Sequence, residues 1–283
     1  MFQGSRRFKC SLILIATAVL CATGASAQIE PEHIFLVSPL EMSLTSSESS
    51  KDMYETANPI DPLDSPHPVP WNWVMDTYGH LSSNRGFGLR YYRSPSLISP
   101  DGRFAAYSRI KMRSESDLFR SRVTSVMFLE DLQTGDLTTI TASSPLADNP
   151  LDYNEAAHMP GAISILIPVS WSENGDSILS RQFEGIFSTS EASDYAVVWN
   201  RDNNTTTTIA PEQVNYTNAV LLGWSQTDPG QVLFRAGNLG EENWPVWAVN
   251  LYGHTVMASE DEPTVYGTLV NHVWTGPQGY WPY

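Results

Sequence analysis

From residue 95 to about residue 258, short apolar runs alternate with turns that contain Gly, Asp or Asn. Short runs bounded by such turn residues predict β-strands rather than helices. The order of the runs recurs three times, and internal repetition indicates a repeat architecture. The three units open at 95–102 (PSLISPDG), 168–175 (PVSWSENG) and 221–230 (LLGWSQTDPG).

Each unit predicts four antiparallel strands. The apolar opener is the first strand and ends near a Ser, and the turn after it supplies the positive φ that a hairpin requires. A second strand, a longer connection, a third strand, a polar turn and a fourth strand follow. The second strands are RFAAYSR (103–109), DSILSR (176–181) and QVLFR (231–235), the third are SVMFLEDL (125–132), YAVVWNR (195–201) and PVWAVNL (245–251), and the fourth are DLTTITA, TTTTIA and TVMA.

The segment Ser99-Pro100-Asp101-Gly102 and the pairs Trp171-Ser172 and Trp224-Ser225 resemble the WD40-like (PD40-type) repeats of TolB-like proteins and of prolyl oligopeptidase-type propeller domains. The resemblance covers about residues 95–258. It implies an all-β, β-propeller-like array of four-stranded antiparallel blades that serves as a binding platform. Only three blades are visible, whereas a closed ring needs at least about four. A fourth blade shared by 71–92 and 265–283, an open array and a two-sheet sandwich are the alternatives.

Residues 1–27 have the pattern of a secretory signal peptide. Basic residues precede an apolar stretch, and the small residues Ala25-Ser26-Ala27 follow it. We expect cleavage before Gln28, export to the periplasm or the extracellular space, and no stable membrane insertion afterwards. An uncleaved anchor is the alternative, although the stretch is short for a span of about 20 residues. Cys10 and Cys21 both lie in this segment, so the mature chain lacks disulfides.

Residues 28–70 predict an acidic, Ser- and Pro-rich flexible segment, because the hydrophobic positions over most of it follow neither a helical nor a strand period. A lone strand at 33–38 (HIFLVS) is the exception. The propeller-like domain is expected over 71–283. Within it, Trp71 and Trp73 flank Asn72 in an alternation that is consistent with one buried face.

The charge of the chain excludes one class of partner. Its 283 residues include 16 Lys+Arg and 31 Asp+Glu, which gives a formal net charge of −15. Nucleic-acid binding requires clustered basic residues, so no nucleic-acid partner is expected. With 41% hydrophobic residues, most of the chain is expected to fold.

Three arginines are candidate binding residues. Arg109, Arg181 and Arg235 each end a predicted second strand, just before a longer connection, so a propeller would place them on one face. They could grip carboxylates, phosphate or acidic sugars. The favoured interpretation is instead that each pairs with an acid of its own connection. The connections are 110–124, 182–194 and 236–244, and the acids are Glu115, Glu184, and Glu241 or Glu242.

The face with the longer connections is expected to contact partners, because binding residues concentrate on loops. Trp281, within Gly-Tyr-Trp-Pro-Tyr, is a fourth candidate binding residue, since an exposed Trp can stack on sugars or anchor a protein. Most other tryptophans are expected in the core.

Catalytic and metal signals are weak. Residues 148–158 (DNPLDYNEAAH) offer oxygen ligands, but their spacing does not match an EF-hand, and an acidic surface loop is favoured. The chain contains no G-x-S-x-G motif, and its histidines are scattered. We assign no catalytic residue, cofactor or metal.

These patterns predict an exported, non-enzymatic binding or scaffolding protein whose partner is a protein or a cell-envelope component. One alternative is a secreted hydrolase of peptides or glycans with its site on the long-connection face. Another is a structural subunit of a larger assembly. The oligomeric state is left open.

Overall fold

The computed structural model describes residues 60–83, 87–147 and 159–278. Within these ranges the chain is mostly β, as the sequence predicts, with one short α-helix. The helix α1 spans Trp71–Ser83, and a 3-10 turn spans Leu118–Arg120. The strands are β1 (Gly88–Arg93), β2 (Ser96–Ile98), β3 (Phe104–Ser114), β4 (Arg122–Asp131), β5 (Leu137–Ile140), β6 (Ala162–Trp171), β7 (Ser177–Ile186), β8 (Ala192–Asn200), β9 (Thr205–Ile209), β10 (Asn218–Ser225), β11 (Val232–Gly237), β12 (Val246–Val249), β13 (Thr255–Met257), β14 (Pro263–Thr264), β15 (Thr268–Val270) and β16 (Gly276–Pro277).

Three antiparallel meanders of four strands each form the body of the fold. The first meander is β2–β5, the second is β6–β9 and the third is β10–β13. The first two share an eleven-stranded sheet, because β4 and β6 pair in parallel at Val123 and Ile163. The third meander and β14 form a five-stranded sheet. Over the described residues the strands close into neither a propeller nor a barrel.

The repeated serines organise the first turn of each meander. Ser99, Ser172 and Ser225 each accept a backbone N–H within the turn, at 2.9, 3.0 and 2.8 Å. Each hydroxyl also donates to a carboxylate, which fixes its direction. The carboxylates belong to Asp101, Asp176 and Asp261. The turn signal in the sequence therefore has a hydrogen-bonded cause.

A second repeated feature interrupts the first strand of each meander four residues before that serine. In the first meander, β1 and β2 both pair with β3 and are separated at Ser94-Pro95. In the second and third, the register shifts between Pro168 and Ser170 and between Leu221 and Gly223. Proline has no N–H to give to a ladder, so it is tolerated at such a break.

The C-terminal segment 263–277 ties the meanders together. β14 pairs with β10, Tyr266 forms a bridge with Trp171 of β6, and β15 pairs with β2. The segment thus reaches the first strand of the third, second and first meander in turn. Beyond it, β16 pairs with β1 at the edge of the first sheet.

The expectation of a fourth blade shared by 71–92 and 265–283 is wrong. Residues 71–83 form a helix, and β1 and β16 extend the first meander instead of forming a separate sheet. The buried positions Trp73, Val74, Thr77 and Leu81 have helical spacing, which the short Trp-Asn-Trp alternation concealed. The helix packs on Ile110, Met112, Ile165 and Phe183 of the first two meanders.

The packed part of the chain includes residues 60–70, which the sequence analysis assigns to the flexible segment. Val69 is buried among the side chains under α1, and the Asp61 side chain is 3% exposed. Residues 28–59, including 33–38, lie outside the described part of the chain. Within that part, no helix is both long and apolar enough to cross a membrane.

The longer connections of the first two units are mostly strand. β3 runs to Ser114 and β4 starts at Arg122, while β7 runs to Ile186 and β8 starts at Ala192. In β3, buried Ile110 and Met112 alternate with more accessible basic residues, which is a strand pattern. The prediction ended these strands too early, at the basic residues.

Candidate functional site

The three candidate arginines do not form a ring on one face. The three second strands can be aligned on the residue that follows each Ser turn, which is Phe104, Ser177 or Gln231. In this alignment Arg181 and Arg235 occupy the same position, whereas Arg109 lies one residue further along. Successive strand residues face opposite sides, so Arg109 points away from the equivalent side. Arg109 is exposed, Arg235 is half-buried and Arg181 is fully buried.

Arg181 lies at the centre of a buried ionic cluster with Asp61 and Asp194. Its Nη1 and Nη2 donate to the two Asp61 carboxylate oxygens at 2.6 and 3.2 Å, and Nη1 also donates to the His67 carbonyl at 2.7 Å. Its Nε lies 2.8 Å from Asp194 Oδ2, outside hydrogen-bonding direction. Glu184, the acid expected to pair with Arg181, binds elsewhere. The guanidinium is therefore occupied by acids of this chain.

Arg235 also faces the segment before α1. Its Nη2 donates to the Asp64 carbonyl at 3.4 Å. Glu241, an expected partner of Arg235, instead accepts hydrogen bonds from Asn238. Arg109 has no hydrogen bond or ion pair among the described residues. Arg181 and Arg235 thus both hold residues 61–67.

The Asp61 carboxylate folds this segment around itself. It accepts the backbone N–H groups of Leu63 at 3.0 Å, Ser65 at 3.1 Å and Val69 at 3.1 Å. Burial would raise the pKa of Asp61, but the hydrogen bonds and charge of Arg181, with these N–H groups, lower it overall. His67 Nε2 donates to the Leu222 carbonyl at 2.9 Å and fastens the segment to β10.

Asp194 is the least stabilised member of the cluster. Complete burial raises its pKa to about 6, although Arg181 and the Leu221 N–H act in the opposite direction. Its Oδ1 has no hydrogen-bond partner among the described residues. Two carboxylates and one guanidinium leave a buried net charge of −1 when all are ionised. A proton on Asp194 removes that charge.

Side chains, rather than a backbone ladder, join the second and third meanders beside this cluster. Asn218 Nδ2 donates to the Ala192 carbonyl at 2.7 Å, and Ser193 Oγ accepts the Ala219 N–H at 3.1 Å. The Leu221 N–H donates to Asp194 Oδ2 at 2.9 Å. The junction between β8 and β10 is therefore fixed, and it leaves a gap at the end where the β7–β8 turn lies.

A cleft of about 540 Å³ occupies this gap, a size typical of ligand pockets. It lies on the face of the longer connections, since the β7–β8 turn and the residues after β11 line it. Its rim is apolar, with Leu239 61% and Met159 51% exposed. The other lining residues are Pro145, Leu146, Glu184, Gly185, Ile186, Ser190, Glu191, Ala192, Ser193, Tyr195, Thr217 and Asn218.

Glu184 is a buried carboxylate in the wall of the cleft. It accepts hydrogen bonds from the Ser144 hydroxyl, from the Leu146 N–H at 3.0 Å and from Gln182 Nε2 at 3.1 Å. Burial, and then the charge of Glu184, raise the pKa of Tyr195. Among the described residues, the Tyr195 hydroxyl and the Glu191 carboxylate have no hydrogen-bond partner, and both residues line the cleft.

A smaller polar cavity of about 170 Å³ lies between the first and second meanders. Gln182 lines it and links it to Glu184 of the cleft, and Gln182 Nε2 also donates to Ser164 Oγ at 2.7 Å. Its polar walls and its volume suit a few ordered waters.

Two of the candidate sites considered from the sequence, the acidic loop 148–158 and Trp281, fall outside the described residues. Within the described part, no group of His, Cys, Asp and Glu is arranged to hold a metal ion. Trp274 is 71% exposed beside Val273, whereas Trp73, Trp171, Trp199 and Trp224 are buried.

Sequence reasoning missed Asp61, Asp194 and Tyr195. Asp61 is hidden in a Ser- and Pro-rich stretch whose composition resembles a tether. Asp194 carried a usable signal, because it directly precedes the apolar run YAVVW, where an acid has to be either paired or protonated. No protein-family model matches the chain, and a search of the curated proteins finds no match either.

Proposed function

We propose that this chain is an exported, non-enzymatic binding module that holds a protein or cell-envelope partner in the cleft between the second and third meanders. The observation that carries the proposal is the cleft itself. It combines an apolar rim with a few fixed polar groups, which is the usual composition of a binding site. Its position on the face of the longer connections supports the same assignment.

The side chains of the cleft favour binding over catalysis. Glu184 already accepts three hydrogen bonds, so a general base would have to give these up. The described lining residues include no histidine to activate Ser190 or Ser193. The bonds across the β8–β10 junction support a preformed site, which binds a partner at a lower entropic cost.

The proposal includes a propeller-like interpretation of the fold. The three meanders would be blades of an open array, with segment 263–277 holding their first strands. This interpretation agrees with the Ser-containing turns and with the resemblance to TolB-like repeats. A platform of this kind is compatible with many functions, so the assignment depends on the cleft. The segment 28–59 would act as a tether that lets the folded part sit away from its anchor point or complex.

Capture of partners by matched variants tests the proposed function. Wild-type protein, Leu239→Gln at the cleft rim and Leu132→Gln at a distant turn would each be crosslinked mildly in the native envelope and purified. Both leucines are exposed, at 61% and 46%, so neither change should unfold the chain. We expect a stoichiometric partner with the wild type and Leu132→Gln, and about tenfold less with Leu239→Gln. Equal capture by both variants would remove the cleft from the proposal.

A further inference from the structure

We propose that the cleft recognises a cationic side chain, Lys or Arg, flanked by apolar residues on the partner. This inference rests on the proposed function, because it names the chemistry of the ligand for the same cleft. It starts from the groups that the fold leaves available there, the Glu191 carboxylate and the Tyr195 ring and hydroxyl.

The cleft carries negative charge that the described residues do not neutralise. Glu184 and Glu191 both line it, and the described lining contains no Lys, Arg or His. The three donors to Glu184 are a hydroxyl, a backbone amide and a side-chain amide, which satisfy its oxygens but leave its charge in place. The raised pKa of Tyr195 agrees with this, since a nearby negative charge disfavours the phenolate.

Tyr195 adds an aromatic face to this negative site. A guanidinium or ammonium group over an aromatic ring is attracted by the negative face of the ring, and more strongly when water is excluded. The apolar rim formed by Leu239, Met159 and Ile186 suits the aliphatic stem of Lys or Arg and a neighbouring apolar side chain. Carboxylate and phosphate groups would meet two like charges instead.

Charge complementarity therefore selects one occupant. A neutral apolar segment would fill the rim but leave the buried charge of Glu184 uncompensated. A cation beside an apolar residue would fill the rim and also compensate this charge. The net charge of −15 also attracts cationic partners over a longer distance at low salt.

A pair of isosteric peptides isolates the contribution of the charge. Acetyl-Leu-Arg-Leu-amide and acetyl-Leu-citrulline-Leu-amide have nearly the same shape, but only the first is charged. Each would be titrated into the ¹⁵N-labelled chain as isolated after export, and amide shifts would be followed by NMR. We expect shifts centred on Gly185, Ala192 and Leu239, with the arginine peptide binding about tenfold more tightly.

Variants assign the effect to the cleft. Glu191→Gln should reduce arginine-peptide affinity about tenfold, and Tyr195→Leu should reduce it more than Tyr195→Phe, which keeps the ring. Glu173→Gln, the same change at an exposed turn of the second meander, should have no effect. Equal binding of the two peptides at the cleft would overturn cation recognition and leave the binding module standing. Failure of the arginine peptide to shift cleft amides also overturns the inference, while partner capture by the uncharged Leu239→Gln variant tests the proposed function separately.

Discussion

Arg181 and Asp61 are 120 residues apart in sequence, and they meet through two hydrogen bonds of 2.6 and 3.2 Å between side chains that are almost completely buried. The pair fastens the segment before α1 to the second strand of the second meander. Since the same guanidinium also binds the His67 carbonyl, a single side chain holds both ends of the loop 61–67.

Asp61→Asn should destabilise the fold. It removes the ionic hydrogen bonds to Arg181 and weakens the loop that Asp61 holds, although Asp194 still balances the buried guanidinium. Losing a hydrogen bond to a charged group typically costs about 1.5–3 kcal/mol. Urea unfolding followed by tryptophan fluorescence measures the change. Asp64→Asn is the control, because Asp64 is exposed and its hydrogen bonds among the described residues use only its backbone. Equal midpoints for the two variants would contradict a structural role for the pair.

Asp194 should make stability depend on pH in a predictable direction. Its pKa is about 6 in the folded chain against 3.8 for an ordinary Asp, so the folded state holds its proton more tightly. The stabilisation is complete below about pH 4 and is lost as pH rises towards 6; over this range the loss amounts to about 3 kcal/mol. Asp61 affects stability at a lower pH. Its pKa is lowered in the folded chain, so the stabilisation that it provides is lost only as the pH falls through that lowered pKa.

Asp194→Asn removes this titration while keeping the shape of the side chain. At each pH, the unfolding free energy of the wild type is subtracted from that of the variant. This difference should increase as the pH rises from 4 to 6. Denaturant curves at several pH values would show the difference. A constant difference across this range would mean that Asp194 does not titrate there.

Gly267→Ala should loosen the tie between the C-terminal segment and the meanders. A Cβ at this position would lie 2.8 Å from the Ile98 carbonyl oxygen and 2.9 Å from Trp171 Cδ1, at a φ of +103°. We expect a loss of about 2–4 kcal/mol in thermal or urea unfolding. Gly240→Ala has a similar φ of +92° with open space around it, so it measures the backbone strain alone. Equal effects would show that the close approach does not matter.

Ala27→Leu should block processing of the predicted signal peptide, because cleavage requires a small residue at that position. The wild-type chain recovered after export should begin at Gln28, as measured by N-terminal sequencing or intact mass. The variant should retain residues 1–27. A wild-type chain that retains them as well would favour the uncleaved anchor.

The repeats were predictable because their signals are local. Ser99, Ser172 and Ser225 each accept a backbone N–H from a residue close in sequence, which defines a turn, so the strand order follows from the sequence. The surroundings of Arg181 were not predictable, since they depend on Asp61 and on a register that differs by one residue between Arg109 and the other two arginines. The sequence did not predict the helix at 71–83, because the three residues Trp-Asn-Trp are too few to distinguish the helical period from the strand period.

The cleft depends on contacts that no local pattern encodes. Glu184 and Tyr195 lie on neighbouring strands, but Asn218 and Leu239 come from the next meander, and their approach follows from packing between sheets. The cleft lies on the face of the longer connections, which the sequence predicts as the binding face. Much of these connections is strand.

Segment 263–277 has a consequence for the timing of folding. It is synthesised after every strand of the three meanders that it ties together, in the order third, second, first. The array therefore cannot reach its final pairing until residues 263–277 have been made, even though each meander can form its own hairpins earlier.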